Sequence, residues 1–133
     1  MKKDALAKLT CPGKVKVLSG YVFRVSKPAI FGVGVLGGRI KKNYRLMNKS
    51  GEVVGQVREI QKEKEKVEEA SAGDQLAISC DGIMIGKNVA EGDILYSYMT
   101  KDEIDLWNEK IDMLGEDEKE LFEEMKRMLL KYF

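Results

Sequence analysis

The sequence of 133 residues contains no histidine. This removes the commonest metal ligand and the commonest general base, so a zinc enzyme and a histidine-dependent triad are both excluded. Cysteine is almost as scarce. Cys11 and Cys80 make neither a disulfide framework nor a C-x-x-C pair, and they read as incidental thiols of a reducing cytosol. No apolar run approaches the roughly 18 residues that a membrane span requires. The opening MKKDALAKLT is basic but lacks the apolar centre of a signal peptide. A cytoplasmic chain without membrane contact is therefore expected. The hydrophobic fraction of 44% suits one globular domain.

The net charge of +1 conceals an uneven distribution. Residues 1–60 hold 13 Lys and Arg against 3 Asp and Glu, residues 61–100 hold 4 against 8, and residues 101–133 hold 6 against 11. A basic front and an acidic tail imply two surfaces with different partners, or simply two solvated faces.

Residues 31–40, FGVGVLGGRI, contain G-x-G-x-x-G at Gly32, Gly34 and Gly37. A dinucleotide cradle requires a helix to open from this motif, because the helix amides hold the pyrophosphate. Arg39, Ile40, Lys41, Lys42, Asn43 and Tyr44 follow instead and show no helical stripe. Phe31, Val33 and Val35 alternate with Ile30, Gly32, Gly34 and Leu36, and a period of two denotes a strand. Glycines along one face of a strand indicate a bulge, a bend or close approach by another group.

From Lys14 to Met99 the pattern is short strands separated by turn residues at 48–51, 71–74, 81–82 and 91–93. This spacing predicts a small antiparallel β-barrel over residues 13–99. The charged run at 61–69 reads as an exposed hairpin end. Residues 4–9 can form a helical turn, so residues 1–12 are a lead-in, the end of a connecting helix. Residues 100–133 change character. Thr100 and Glu103 make a capping box, with Ile104, Trp107, Ile111 and Leu114 following at helical spacing. Gly115 is expected to be the residue that ends this helix. Leu121, Phe122, Met125, Met128, Leu129 and Tyr132 form a second stripe. The expected architecture is mainly β, a barrel followed by two amphipathic helices.

No constellation supports catalysis. Residues 82–88, GIMIGKN, fall short of a phosphate loop: three residues separate the glycines where four are needed, and Asn88 replaces the hydroxyl that holds magnesium. Glu68 and Glu69 are strand neighbours that point to opposite faces. The basic front is more informative. Tyr21, Phe23, Arg24 and Lys27 interleave aromatic and positive side chains, and Arg39, Lys41, Lys42 and Arg45 follow. Cations hold phosphates and flat rings stack on exposed bases, so RNA binding is a candidate activity, with solubility as the plainer alternative.

The segments GKVKVLSGYVFRVSKPAIFGVGVLGGRIKKNYRLM, GEVVGQVREIQ, VEEASAGDQLAISCDG and VAEGDILY resemble the last barrel domain, domain four, of archaeal and eukaryotic translation initiation factor 5B. That factor is the translational GTPase related to bacterial initiation factor two. The resemblance runs from Pro12 to Tyr98. It implies a barrel like the second domain of the elongation factors, which contacts the acceptor end of initiator methionyl-tRNA on the ribosome and supports subunit joining. By this resemblance, contacts fall on a glycine-bearing strand (residues 33–38), a basic loop (62–64) and the following strand (75–77). The loop departs from the bacterial pattern, lacking its aromatic and carrying Glu63.

Together with the basic front, these positions make Arg24, Lys27, Val33, Gly34, Arg39, Lys41, Lys42, Lys62, Lys64 and Gln75 the nucleic-acid-binding candidates. The glycines are expected to clear room for the tRNA terminus. No G-x-x-x-x-G-K-[ST] and no N-K-x-D motif is present, so the chain is expected to be a C-terminal piece of a larger GTPase, without GTP hydrolysis, metal or cofactor of its own. A monomer is expected. The resemblance also implies that the closing helices receive the tail of initiation factor 1A, through an apolar strip at Trp107, Phe122, Met125 and Met128. In the alternative reading this docking is the function and the barrel only a scaffold, or the helices merely cover the barrel.

Overall fold

The computed structural model describes residues 9–130. Eight strands precede two helices: β1 (Gly13–Arg24), β2 (Ala29–Lys41), β3 (Arg45–Met47), β4 (Val53–Lys62), β5 (Glu65–Val67), β6 (Glu69–Ser71), β7 (Gln75–Asp81), β8 (Ile94–Ser97), α1 (Lys101–Glu109) and α2 (Glu116–Leu129). The expected turn over residues 4–9 lies outside the described residues except for Leu9, as does Tyr132 of the second stripe.

Six strands close into an antiparallel barrel in the order β1-β8-β3-β4-β7-β2, with β2 returning to β1. Closure leaves no unpaired edge among these six. The short strands β5 and β6 extend β4 and β2 beyond the barrel. The alternation expected for residues 31–35 is present: Phe31, Val33 and Val35 are buried with Val15, Val17, Ile78 and Leu95 in the barrel core. The helix required by a dinucleotide cradle is absent, because Gly32, Gly34 and Gly37 all lie within β2.

Turn chemistry sets the hairpins. Asn48 Oδ1 accepts from the amides of Ser50 and Glu52, at 2.9 and 3.1 Å. The charged run is indeed a hairpin, β4–β5, turning at Glu63 and Lys64 with both residues at positive φ. Residues 82–88 form no cradle. Ile83 and Val89 are buried in the barrel core, while Asn88 Oδ1 accepts from the Met84 amide at 2.8 Å.

The helices build a second core on the outside of the barrel. Met47 and Tyr96 meet Ile104, Trp107, Leu114, Leu121, Phe122, Met125 and Leu129 there. Thr100 and Glu103 form the expected capping box. Gly115 differs from expectation. Helix α1 stops at Glu109, a 3-10 turn covers Ile111–Met113, and Gly115 is the extended residue that starts α2. The extra turn swings Leu114 inward, and Glu118 accepts from the Gly115 amide at 3.3 Å.

Residues 9–12 run between the barrel and these helices. Trp107 Nε1 donates to the Thr10 carbonyl at 2.8 Å, and Glu103 accepts from the Thr10 amide at 2.8 Å. On the barrel side, Ser97 Oγ donates to the Cys11 carbonyl at 2.7 Å, and the Arg39 amide donates to the Pro12 carbonyl at 2.9 Å. The Tyr44 hydroxyl accepts from the Cys11 amide at 2.8 Å, and burial raises its pKa above the ordinary tyrosine range.

The expected apolar strip on the helices is therefore not a surface. Trp107, Phe122 and Met125 are buried, and Met128 packs against the same cluster. Their stripes meet the outer face of the barrel and the lead-in segment, which leaves no groove at these side chains. Phe122→Ala should lower unfolding stability by about 3–5 kcal/mol, read from the denaturant midpoint, as expected for a large side chain removed from a filled core.

Candidate nucleic-acid interface

The outward face of β2, β7 and β4 carries the short side chains Ala77 and Ser79 between the longer Ile30, Glu59 and Gln61. Register pairs Ile30 with Ser79 and Gly32 with Ala77, and then Ser79 with Glu59 and Ala77 with Gln61. An open trough of about 620 Å³ lies over this face. Arg24 and Pro28 line one side of it, and Lys42 and Asn43 line another. Arg58 also lines it, at the step where β4 bulges between Val57 and Glu59, and it pairs with Asp81 at 3.4 Å.

The ten candidate residues do not form one patch. Arg24 and Lys42 meet at the trough. Lys27 is exposed in the β1–β2 turn, and Lys64 is exposed at the β4–β5 tip. Gln75 stands opposite Gly34 at the start of β7, and Lys41 pairs with Glu69 in the register of β2 with β6. Lys62 is held by Asp74 at 3.0 Å. Arg39 faces α2, 4.0 Å from Glu118, and Lys14 meets Glu124 at 3.5 Å. The acidic helix thus neutralises part of the basic front, so the two charged regions are not independent surfaces. Val33 offers no side chain to a ligand, because it is buried in the barrel core.

The glycines of β2 also have another explanation. Between Val17 and Val22 of β1 lie four residues, whereas β2 has only Gly32 between the partners Val33 and Phe31. The surplus bulges outward and folds over β2. A Cβ at Gly32 would stand 2.9 Å from Tyr21 Cβ, and one at Gly34 would stand 3.7 Å from Leu18. At Gly37 the neighbour is Leu121 of α2, at 3.6 Å. Gly38 has a φ of +65°, and a Cβ there would land on the Pro12 carbonyl. These glycines admit the protein's own β1 bulge, helix and lead-in. They do not clear an empty seat for a tRNA terminus, and Gly34 is covered by Leu18. Sequence spacing gave no access to this, because the covering residues come from other strands and from α2.

The trough also holds side chains that sequence reasoning missed, among them Gln56, Arg58, Glu59, Ser79 and Asp81. No motif marks any of them as a site residue. Only the register of β4 with β7, and of β7 with β2, brings them together.

Among the titrating groups, Asp74 is held below the usual carboxylate range, first by the Ser71 amide at 3.0 Å and then by Lys62. Burial pushes the Cys80 thiol up to about 12. Because the Asp74 value is depressed on folding, its contribution is complete above the unfolded aspartate value and is lost as pH falls through the folded one. Carboxyl-carbon NMR should show Asp74 titrating below the ordinary aspartate value of about 3.9, and Lys62→Ala should move it upward. Gly32→Ala should destabilise the domain by about 1–3 kcal/mol through overpacking against Tyr21. Gly34→Ala, with only ordinary contacts, should cost less, and thermal melting of the two variants measures the difference.

Comparison with known proteins follows the same architecture. Residues 11–96 match the family model for elongation factor Tu domain 4. Curated relatives include the probable translation initiation factor IF-2 of Methanopyrus kandleri, 44% identical over 93% of this chain and 21% of that protein. The corresponding factor of Pyrobaculum neutrophilum is 46% identical over 92% of this chain and 21% of its own length. The crystal structure of GDP-bound aIF5B from Aeropyrum pernix superposes with a TM-score of 0.90 at 36% identity, covering 98% of this chain and 22% of that one. The chain spans about a fifth of the length of these relatives. The 133-residue chain, a barrel with closing helices matched over nearly its whole length, belongs to the elongation factor Tu domain 4 family, in the form of domain four of initiation factor 5B and its IF-2 relatives.

Proposed function

We propose that this domain binds the acceptor end of initiator methionyl-tRNA on the ribosome and supports subunit joining as one part of a larger GTPase. The trough across β2, β7 and β4 carries this reading: it is open, has Ala77 and Ser79 in its lining, and is bordered by Arg24, Lys42 and Arg58, while its carboxylates Asp81 and Glu59 are paired with Arg58 and Lys66. An extended nucleic-acid strand can approach such a face while cations at the rim hold its phosphates. The similarity to initiation factors supports the choice of RNA. In this role the domain works as a cytoplasmic monomer and needs neither nucleotide nor metal of its own.

A second reading is that the helices dock initiation factor 1A. Among the described residues, the large apolar side chains left exposed there are Leu106, Met113 and Leu130, and they favour a smaller contact than the buried stripe residues would have made. NMR shifts at these positions on titration with the tail peptide of that factor test it.

The main test is binding of the chain to charged and uncharged initiator tRNA over a series of salt concentrations. Affinity should fall with salt, because each phosphate neutralised by Lys or Arg releases counterions. Lys41→Glu with Lys42→Glu should weaken binding and reduce the salt slope by about 1 for each phosphate that is no longer neutralised. Lys119→Glu with Lys126→Glu should leave both nearly unchanged. Glu118→Gln with Glu124→Gln releases Arg39 and Lys14 from α2 and should tighten binding by roughly twofold to fivefold. Equal weakening by both lysine pairs would place the site elsewhere.

A further inference from the structure

We infer that Tyr21 and Phe23 form a stacking platform for an unpaired RNA base beside the trough, and this inference rests on the RNA-binding reading above. Both rings are unusually open for a strand of a closed barrel, with Tyr21 56% and Phe23 65% exposed. Their neighbour Val22 packs toward the barrel core, which leaves Tyr21 outward, and a second irregularity of β1 between Val22 and Arg24 sets Phe23 and Arg24 both on the exposed side.

The platform is prebuilt. The bulge at residues 18–21 turns at Gly20, whose φ is +82° and whose amide donates to Glu91 at 2.8 Å. Tyr21 Cβ then stands directly over Gly32, the residue paired with Ala77 in the trough floor. Anchoring the root of a ring while leaving its face in water lowers the entropy lost when a flat ligand stacks on it.

Charge identifies the occupant. Lys14, Arg39, Arg58, Lys62 and Lys66 all have carboxylate partners. Arg24 and Lys27, which follow the two rings, have none among the described residues. Arg24 Nε instead donates to the Ser26 carbonyl at 3.1 Å. Arg24 also pairs with Ile30 in the register of β1 with β2, which sets it at the trough. Open aromatic faces beside cations that have no carboxylate partner among the described residues match a base with its phosphate. An apolar peptide would use the rings but leave both cations without a partner. A duplex would present phosphates but no free base face.

The test uses the 133-residue chain with a short single-stranded RNA and with the same RNA annealed to its complement. Phe23→Ala should weaken single-strand binding roughly tenfold while barely changing duplex binding, since one base no longer stacks. Phe23→Trp should retain the affinity, with quenching of the introduced indole on binding. Phe23→Leu keeps the apolar surface without a ring and should behave like Phe23→Ala. Tyr21→Phe should be neutral, because stacking uses the ring and not the hydroxyl. Unchanged RNA affinity in Phe23→Ala would overturn the platform and leave the RNA-binding reading standing. Full retention by Phe23→Leu would overturn it in favour of an apolar protein contact. Failure of the unaltered chain to bind any RNA would overturn both readings together.

Discussion

The placement of α1 depends on the lead-in segment at residues 9–12, which is held from two sides by hydrogen bonds. The barrel contributes Ser97, Tyr44 and the Arg39 amide, and α1 contributes Glu103 and Trp107. A buried backbone without partners would carry a large desolvation penalty, so these contacts make the segment a tolerable neighbour for apolar side chains. Glu103 has two tasks: it closes the capping box of α1 and accepts from Thr10. The helix start and the strap are therefore fixed by one carboxylate. The second core of Tyr96, Phe122 and Met125 assembles around this arrangement.

The same packing explains why β2 is rich in glycine. One side of that strand faces the barrel core through Phe31, Val33 and Val35. Its other side is crossed in turn by the β1 bulge, by α2 and by the lead-in; a side chain would obstruct a neighbour at Gly32 and Gly38, while Gly34 and Gly37 lie at ordinary contact distance from the covering residues. A motif that looks like a phosphate cradle in one dimension is a series of close approaches in three. The trough begins where these crossings end, at Ile30, Ala77 and Ser79.

Electrostatics follows from the packing as well. Helix α2 has acidic residues throughout its first turn and places Glu118 and Glu124 against Arg39 and Lys14. Exposed pairs of this kind add little stability. Their consequence is for recognition, because they remove positive potential from one end of the barrel and leave it at Arg24, Lys27 and Lys42.

The strands of the barrel, its turn chemistry and the capping box of α1 were legible in the sequence, because each depends on a local period or on a side chain a few residues from its target. Asn48, Thr100 and the alternation through Phe31 to Val35 are of this kind. The family was legible too, since the quoted segments span most of the chain. The site was legible only in part. Local reading pointed to Arg24 and Lys42, which line the trough, whereas the resemblance pointed to Val33 as a contact and the helical stripes to Trp107, Phe122 and Met125 as a surface, and these four side chains are buried. Amphipathic stripes state that a face must be covered without stating what covers it. That was decided by the tertiary structure, through a β-register that joins Ile30 to Ser79 and a lead-in segment stapled beneath Trp107. Both are contacts between residues far apart in the chain, and no local period encodes which distant strand or segment will supply the partner.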